Sequence, residues 1–173
     1  MIRFLIASAA ALGAIALAAV PADAQPLGSD ASACMANSSA IEVNISGLKD
    51  RTGRLKLELY PANEDDFLKA DHDLIREGKV FRRVWVPMPA SGPVVLCIKT
   101  PGPGKYALFF THDRDGKNKF NFWKDGAGVP GNGKLGRSRP PLNQAIVTVG
   151  NGTTVTNVTA QYFRGLSGFA PLK

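Results

Sequence analysis

The sequence contains only two histidines and two cysteines among its 173 residues, so it holds few of the side chains that bind transition metals. A catalytic zinc or copper site needs several such ligands, and a site built from several histidines is therefore excluded. A serine hydrolase needs a base and an acid near its nucleophile, yet the chain has no Gly-x-Ser-x-Gly segment. We predict that the protein is not an enzyme and assign no catalytic residue.

Long apolar runs are also scarce, and the one that approaches the length of a membrane span lies near the N-terminus, from Phe4 to Val20. Arg3 precedes this run and Pro21 follows it, and Ala22-Asp23-Ala24 has the small-x-small pattern of a cleavage site. We therefore predict a signal peptide over residues 1–24 and no membrane span after its cleavage. The mature protein would be periplasmic or secreted.

Acidic residues are fewer than basic ones, 14 against 21, and the net charge is +7. The predicted cleavage removes Arg3 and Asp23, so the mature chain keeps this charge. A basic exported protein tends to meet anionic partners. We expect the partner to be an anionic glycan, a lipid head group or another envelope protein, and we expect no nucleic acid.

The two cysteines, Cys34 and Cys97, have no cysteine or histidine near them at the spacing of metal ligands. An even number of cysteines in an oxidising compartment indicates a disulfide. A Cys34–Cys97 bridge would join the segment before the first strand to a later strand. In the chain-entropy model, a bridge that closes a loop of about 60 residues raises the free energy of unfolding by roughly 4 kcal/mol.

Alternation of apolar and polar residues predicts strands throughout residues 40–163, which we take as one domain. Residues 25–39 are small, polar and weakly patterned, which predicts a loose N-terminal arm, and residues 164–173 are predicted to be a loose tail. The seven strand patterns are IEVNISGL, RLKLELY, KVFRRVWVP, PVVLCIK, GKYALFFTHD, NQAIVTVG and TTVTNVTAQYF.

Turn and helix signals organise these strands. The turn residues KDRTG join the first two strands, and Asn151-Gly152 joins the last two, so both pairs are predicted to be hairpins. Residues 63–78 have apolar side chains at helical spacing and Gly78 at their end, which predicts one short helix. The sequence thus predicts an all-β fold, a seven-stranded antiparallel β-sandwich with one short helix and one long loop.

Three segments together resemble the DUF2141 family of exported bacterial proteins: VNISGLKDRTGRLKLELYP, PGKYALFFTHDRDGKNKF and GAGVPGNGKLGRS. The resemblance runs from about Ile41 to about Phe163. It implies an exported β-sandwich of immunoglobulin-like or transthyretin-like type, and it implies no reaction. It also implies an aspartate where this chain has Asn121.

The polar loop after the fifth strand, HDRDGKNKFNFWKDGAG, offers several oxygen ligands at short spacing, which is the ligand chemistry of calcium. The candidate metal ligands are Asp113, Asp115, Asn118, Asn121 and Asp125.

An EF-type loop counted from Asp113 departs from the calcium pattern at three positions. Lys117 replaces an oxygen ligand at position 5, Asn118 replaces glycine at position 6, and Lys124 replaces glutamate at position 12. We therefore expect no obligatory cofactor. A calcium-stabilised structural module, held through Asp113 and Asp115, is the alternative function.

The stretch from His112 to Arg139 carries seven cations and three acids, a net +4, with aromatic residues between them. Aromatic rings beside cations suit sugar rings, anionic glycans and lipid head groups. The candidate ligand-binding residues are His112, Lys117, Lys119, Phe122, Trp123, Lys124, Arg137 and Arg139. We predict a non-enzymatic binding or accessory module of the bacterial envelope that acts through loop 112–139.

A structural interpretation of the same loop stays open. Phe120 and Phe122 would pack beneath it as a small core, with the lysines in solvent and Trp123 exposed. In this interpretation His112 and Asp113 bond backbone N–H groups and fix the exit of the chain from the strand.

Overall fold

The protein folds as a sandwich of two β-sheets, and the computed structural model describes residues 24–172. The predicted signal peptide falls on residues that lie, apart from Ala24, outside the described ones. The strands are β1 (Ala40–Ser46), β2 (Arg54–Pro61), β3 (Arg82–Pro87), β4 (Val94–Lys99), β5 (Gly104–Asp113), β6 (Gly126–Gly128), β7 (Ile146–Val149), β8 (Thr153–Thr159), β9 (Gln161–Phe163) and β10 (Phe169–Pro171). The helices are α1 (Ala31–Met35), α2 (Asp71–Arg76) and α3 (Leu142–Ala145), with a 3-10 turn at Gly165–Ser167.

The all-β sandwich predicted from the sequence is confirmed, with ten strands where seven were expected. The additional strands are three-residue segments: β6 lies inside the predicted long loop, β9 continues from β8 after a break, and β10 lies in the predicted tail. Short strands of this length show no alternation that a sequence pattern can detect.

The smaller sheet has the order β4-β1-β8. β4 runs antiparallel to β1, whereas β8 runs parallel to it, with Ala40 opposite Thr153. Alternate residues of β1, namely Ile41, Val43 and Ile45, are buried against the other sheet. The period of two therefore predicted this buried face correctly, although it did not predict the parallel partner.

The larger sheet has the order β10-β9-β6-β5-β2-β3, and β7 pairs with the first half of β5. β5 is the longest strand, and it pairs with β2 from Tyr106 opposite Pro61 to Asp113 opposite Arg54. β6 pairs with the second half of β5, where the strand ends. This end of β5 begins the polar loop.

β5 is apolar on both faces, and each face has its own cover. Leu108 and Phe110 belong to the core between the sheets. Ala107 and Phe109 face outward and contact a second apolar layer. That layer is built from the turn and helix after β2, through Phe67, and from the segment that leads into α3. The polar loop lies over this outer face of the larger sheet.

The N-terminal arm is ordered, contrary to the prediction of a loose segment. The predicted disulfide is present and joins Cys34 of α1 to Cys97 of β4, with their Cα atoms 6.1 Å apart. The Leu27 N–H donates to the Val95 carbonyl over 2.8 Å. Asp30 is buried and forms an ion pair with Arg82 of β3, so the arm contacts both sheets.

Both predicted hairpins are wrong, because the chain crosses between the sheets at each turn. β1 lies in the smaller sheet and β2 in the larger, and β7 and β8 are divided in the same way. Gly53 adopts φ +70, and a Cβ there would lie 2.2 Å from the Asp113 carbonyl oxygen, so the crossing fits glycine alone. Neither Asn151 nor Gly152 has the positive φ that a tight hairpin turn needs.

The predicted helix over residues 63–78 is shortened to α2, because the chain bends at Leu68, whose φ is +58. Asn63 stabilises this bend by accepting a hydrogen bond from the Asp66 N–H. The predicted loose tail is also ordered, since Phe169 is buried and exchanges two backbone hydrogen bonds with Gly136. Among residues 24–172 there is no helix with the length and apolarity to cross a membrane.

Candidate functional site

The end of β5 places two neighbouring side chains on opposite faces of the larger sheet. His112 points to the inner face and Asp113 to the outer face, since consecutive strand residues alternate. They therefore do not converge on one ligand, and a paired catalytic role for them has no geometric basis.

His112 is fully buried, and both of its ring nitrogens are hydrogen-bonded. Nε2 lies 2.8 Å from the Thr52 carbonyl oxygen, which only accepts, so Nε2 carries the proton. Nδ1 accepts from the Tyr162 hydroxyl over 2.7 Å, and that hydroxyl oxygen accepts from the Lys49 N–H. Burial lowers the pKa of His112, which favours the neutral ring.

These contacts correct one predicted site residue. His112 was predicted to bind a ligand on the loop surface, and that prediction is wrong because the ring is enclosed in the interior. The ring also bonds a backbone carbonyl and a hydroxyl, not the backbone N–H groups expected of a cap. Its contacts join the crossing before β2 to β5 and β9.

Three of the predicted metal ligands converge beside the end of β5. Asp113, Asp115 and Asp125 each offer one carboxylate oxygen, and these oxygens lie within 4.8 Å of one another. Asp113 and Asp125 are buried, with 3% and 1% of their surface exposed, while Asp115 is half-buried.

The two oxygens of Asp113 differ in their partners. Oδ2 accepts from Arg54 Nε over 2.9 Å and from the Asn118 N–H over 3.2 Å. Oδ1 is buried and has no hydrogen-bond partner within residues 24–172. A buried carboxylate oxygen without a partner is unfavourable and rare in folded proteins.

Asn121 connects the other two carboxylates. Its N–H donates to Asp125 Oδ2 over 2.7 Å, and its side-chain Nδ2 donates to Asp115 Oδ2 over 3.1 Å. The remaining oxygen of Asp125 accepts from the Arg114 N–H. Asn121 was predicted as a metal ligand, but here it is a donor that holds two acids in place.

Asn118 has the backbone conformation that the calcium pattern assigns to glycine. Its φ is +60, in the left-handed region that asparagine tolerates better than most residues. The replacement of glycine at position 6 therefore does not prevent the loop from turning. Asn118 contributes its N–H to Asp113, not an oxygen.

The Asp115 carboxylate is held in its charged form by nearby donors. Burial, the largest effect on the Asp115 carboxyl, raises its pKa, but the hydrogen bonds from Asn121 and from the Lys117 N–H outweigh it, so the pKa lies below its usual value. Lys117 and Lys124 lower the pKa of this carboxyl further. Arg54 neutralises part of the charge of Asp113, so the cluster is not a concentrated negative site.

Beside this cluster lies an apolar cleft of about 410 Å³, which we name the outer cleft. It opens on the outer face of the larger sheet. Its lining comprises Leu68, Phe109, Phe120, Phe122, Ala127, Leu135, Gly136, Arg137, Ser138, Arg139, Pro140 and Phe169. Its volume lies within the range of small-molecule sites in proteins, roughly 300–1,000 Å³.

Aromatic rings form one wall of the outer cleft. Phe120 and Phe122 come from the polar loop, and both pack against Phe169 of β10, at centroid distances of 5.7 and 5.0 Å. Phe122 also packs on Phe163, and Trp123 stacks edge-on against the same ring. Phe120 and Phe122 remain 42% and 37% exposed, so they do not form the closed small core considered above.

Two arginines stand at the rim of the outer cleft. Arg137 and Arg139 are both exposed, and neither forms an ion pair with a carboxylate in the described part of the chain. Arg139 lies over the ring of Phe67 and donates weakly to the Glu64 carbonyl over 3.4 Å. Within residues 24–172, no carboxylate lies at ion-pair distance from either guanidinium, so the rim carries two unpaired positive charges.

The other predicted ligand-binding residues lie outside the outer cleft. Lys117 and Lys119 line a smaller depression that shares Phe120 and Phe122 with it. Lys124 and Trp123 are exposed, and Trp123 keeps 76% of its surface in solvent. Of the eight predicted residues, Phe122, Arg137 and Arg139 contribute to the outer cleft.

Several lining residues were not predicted. Phe109 lies in a strand whose sequence is apolar on both faces. Such strands are covered on both sides, so this pattern could have indicated a cover over the outer face. Leu68 and Phe169 gave no comparable signal, since one lies in a bend and the other in a three-residue strand.

No curated protein and no solved structure matches the chain significantly. A family description does match: that of an uncharacterised protein conserved in bacteria, DUF2141, over residues 43–157. The match spans about two thirds of the sequence and includes most of β1, all of β2 to β7, most of β8, the polar loop and the arginines of the rim. With this match the resemblance read from the sequence is confirmed, and the chain belongs to the DUF2141 family.

Proposed function

We propose that the protein is a non-enzymatic binding module whose ligand is an amphipathic anion held in the outer cleft. The observation that carries this proposal is the combination of an apolar lining with two arginines at the rim that have no carboxylate partner within residues 24–172. The apolar part of a ligand gains free energy when it leaves water in such a cleft. An anionic head gains charge-assisted hydrogen bonds from Arg137 and Arg139.

The chemistry of the lining favours a hydrocarbon chain over a glycan. A sugar needs several hydrogen-bond partners placed around its hydroxyl groups, whereas the floor of the outer cleft is formed by Phe109, Ala127 and Leu135. A single acyl chain with a carboxylate or phosphate head matches both the floor and the rim. Fatty acids and single-chain phospholipids share this chemistry.

The compartment of this proposed activity is the periplasm or the outside of the cell. The Cys34–Cys97 disulfide is typical of an oxidising environment. Such an environment is also where an envelope lipid or its breakdown product would be met. The proposal therefore joins export, which the N-terminal sequence predicts, to a lipid-like ligand.

The first test is calorimetric titration of the mature protein with octanoate, and in parallel with octylammonium and octanol. We expect saturable binding of octanoate, weaker binding of octanol and the weakest binding of octylammonium. Equal affinity for all three would show that the rim does not select an anion. Failure of all three to bind would remove the proposed function.

A double variant tests the rim directly. We expect Arg137→Gln with Arg139→Gln to weaken octanoate binding by about tenfold or more, since one hydrogen bond between charged groups contributes about 1.5 kcal/mol. The matched control is Lys99→Gln with Lys105→Gln, which removes the same charge at exposed positions outside the cleft. An equal loss in both variants would assign the effect to net charge and not to the rim.

A calcium-stabilised structural module is the second candidate function. It is favoured by one observation, the buried Asp113 Oδ1 without a partner beside two further carboxylates. Calcium takes carboxylate oxygens as ligands and would supply that partner. We expect 5 mM calcium to raise the melting temperature by a few degrees relative to EDTA, because a site with a dissociation constant of about 0.1–1 mM gains about 1–2.3 kcal/mol at that concentration. An unchanged melting temperature counts against this candidate and leaves the cleft proposal intact.

A further inference from the structure

The acidic cluster and the outer cleft are built from the same short segment of chain. Phe120 and Phe122 form part of the cleft wall, and Asn121 between them donates to Asp115 and to Asp125. Phe120, Asn121 and Phe122 are consecutive in the chain, so a movement of the Asn121 backbone displaces both rings. Any event that tightens the acidic cluster therefore changes the position of the aromatic wall.

One oxygen of the cluster is buried and has no hydrogen-bond partner among residues 24–172. Asp113 Oδ1 is buried and accepts no hydrogen bond, although its sister oxygen accepts two. Asp113 is 3% exposed, so bulk water does not solvate this oxygen. A cation satisfies such an oxygen, as does a water molecule that donates to it, but only the cation also neutralises the carboxylates beside it.

The spacing and the ligand type suit calcium. One oxygen from each of Asp113, Asp115 and Asp125 lies within 4.8 Å of the others. Calcium binds oxygens at about 2.3–2.6 Å, so two of its ligands lie up to about 5 Å apart. The three carboxylates therefore share one calcium ion without a large movement of the loop, and water would complete the six to eight ligands.

The affinity of this site is limited by the cations around it. Arg54 contacts Asp113, and Lys117 and Lys124 act electrostatically on Asp115. We therefore expect a dissociation constant in the range of extracellular calcium modules, about 10⁻⁴ to 10⁻³ M. Magnesium, which needs shorter distances and stricter geometry, is expected to bind more weakly.

We propose that a calcium ion held by Asp113, Asp115 and Asp125 fixes the Phe120 and Phe122 wall, so that the affinity of the outer cleft depends on calcium. The ligand part of this inference rests on the proposed function. By linkage the dependence is reciprocal, so an occupied cleft also raises the affinity for calcium by the same factor. Couplings of this kind are typically about 5- to 150-fold.

The experiment uses two measurements on the mature protein. The first is hydrogen–deuterium exchange of residues 114–124 in 10 mM calcium, in 10 mM magnesium and in EDTA, with calcium binding followed by calorimetry. We expect calcium to slow exchange in this segment at least fivefold, and magnesium to slow it less. The second is the octanoate titration in calcium and in EDTA, where we expect at least fivefold tighter binding in calcium.

The variant Asp115→Asn removes one charged ligand while its side-chain oxygen still accepts from Asn121. We expect it to abolish both calcium effects and to leave the octanoate affinity at its value in EDTA. The matched control is Glu42→Gln, which makes the same change of charge in β1 of the smaller sheet. It is expected to behave like the unchanged protein.

The outcomes separate this inference from the proposed function. The inference is overturned if calcium does not bind, or if it binds without slowing exchange in residues 114–124. In either case the octanoate titration alone decides the proposed function. Octanoate affinity that is equal in calcium and EDTA, with exchange slowed, overturns the coupling while both sites stand. If octanoate binds in neither condition, the proposed function fails, and the exchange measurement still decides whether calcium fixes the wall.

Discussion

The two faces of β5 differ in how completely their polar groups are paired. On the inner face, both ring nitrogens of His112 are hydrogen-bonded and the neighbouring side chains are apolar. On the outer face, Thr111 Oγ1 and Asp113 Oδ1 are buried without partners. The third such atom found within residues 24–172 is Gln144 Oε1, in the segment that covers the outer face.

This difference assigns separate roles to the two faces. A face whose polar groups are all satisfied and whose apolar groups are all enclosed gains nothing from a ligand, so it is structural. A ligand that pairs the unpaired polar atoms and covers the half-exposed aromatic rings would lower the free energy of the outer face. Natural proteins depart from full satisfaction mostly at functional sites, and here the departures lie on one face of one sheet.

The largest expected difference between the faces is in the effect of removing a phenylalanine. Phe110→Ala on the inner face should lower the free energy of unfolding by about 3–5 kcal/mol, because a fully buried ring is replaced by a cavity. Phe120→Ala on the outer side should lower it by less than about 1 kcal/mol, since that ring is 42% exposed. Urea unfolding of the two variants measures both values. Similar losses would mean that the outer wall is a second core and not a binding surface.

The inner face was the part of the molecule that its sequence predicted best. Alternation in β2, which pairs with β5, identified Leu55, Leu57 and Leu59 as buried residues, because a period of two depends only on which face of a strand is covered. Alternation does not indicate which strand lies beside a given strand in the sheet. β1 and β2 follow one another and share a turn signal, yet they lie in different sheets because the chain crosses at Gly53.

The outer face was predicted only in part, because several of its contacts join residues that lie far apart in the sequence. The residue types and spacing of the polar loop identified Asp113, Asp115 and Asp125, which the structure gathers. The contact of Asp113 with Arg54 joins residues 59 positions apart, and Phe169 reaches the aromatic wall from the tail. Such contacts follow from the pairing of whole strands, which a local pattern does not contain.

The inner face should also make the protein sensitive to mild acid. Burial holds the pKa of His112 below its usual value, so as the pH falls the unfolded chain takes up a proton before the folded chain does. Stability is then lost as the pH falls through about 6.5, with a slope of at most about 1.4 kcal/mol per pH unit for one proton. The charged groups that act on the ring are Asp50, Arg114 and Asp125, and the hydrogen bond from Arg114 holds the pKa of Asp50 well below its usual value.

Urea unfolding at several pH values provides the check, with one histidine variant for each position. His112→Gln should remove this pH dependence, although it lowers stability at every pH. His72→Gln should keep it, because His72 is exposed on α2. A dependence that survives in His112→Gln would assign the effect to another group.

The smallest expected effect compares two buried threonines, Thr111 on the outer face and Thr100 beyond the end of β4. The Thr100 hydroxyl lies 3.0 Å from the Ser39 carbonyl oxygen and 3.1 Å from that of Gly102, whereas the Thr111 hydroxyl has no partner in the described part of the chain. Thr100→Val should therefore lower the free energy of unfolding by about 1 kcal/mol, the net value of one hydrogen bond. Thr111→Val keeps the shape and removes an unsatisfied group, so it should be neutral or stabilise by up to about 1 kcal/mol. A loss for Thr111→Val as large as that for Thr100→Val would mean that a water molecule or a ligand satisfies the outer hydroxyl, and the contrast between the two faces would then rest on Asp113 and the aromatic wall.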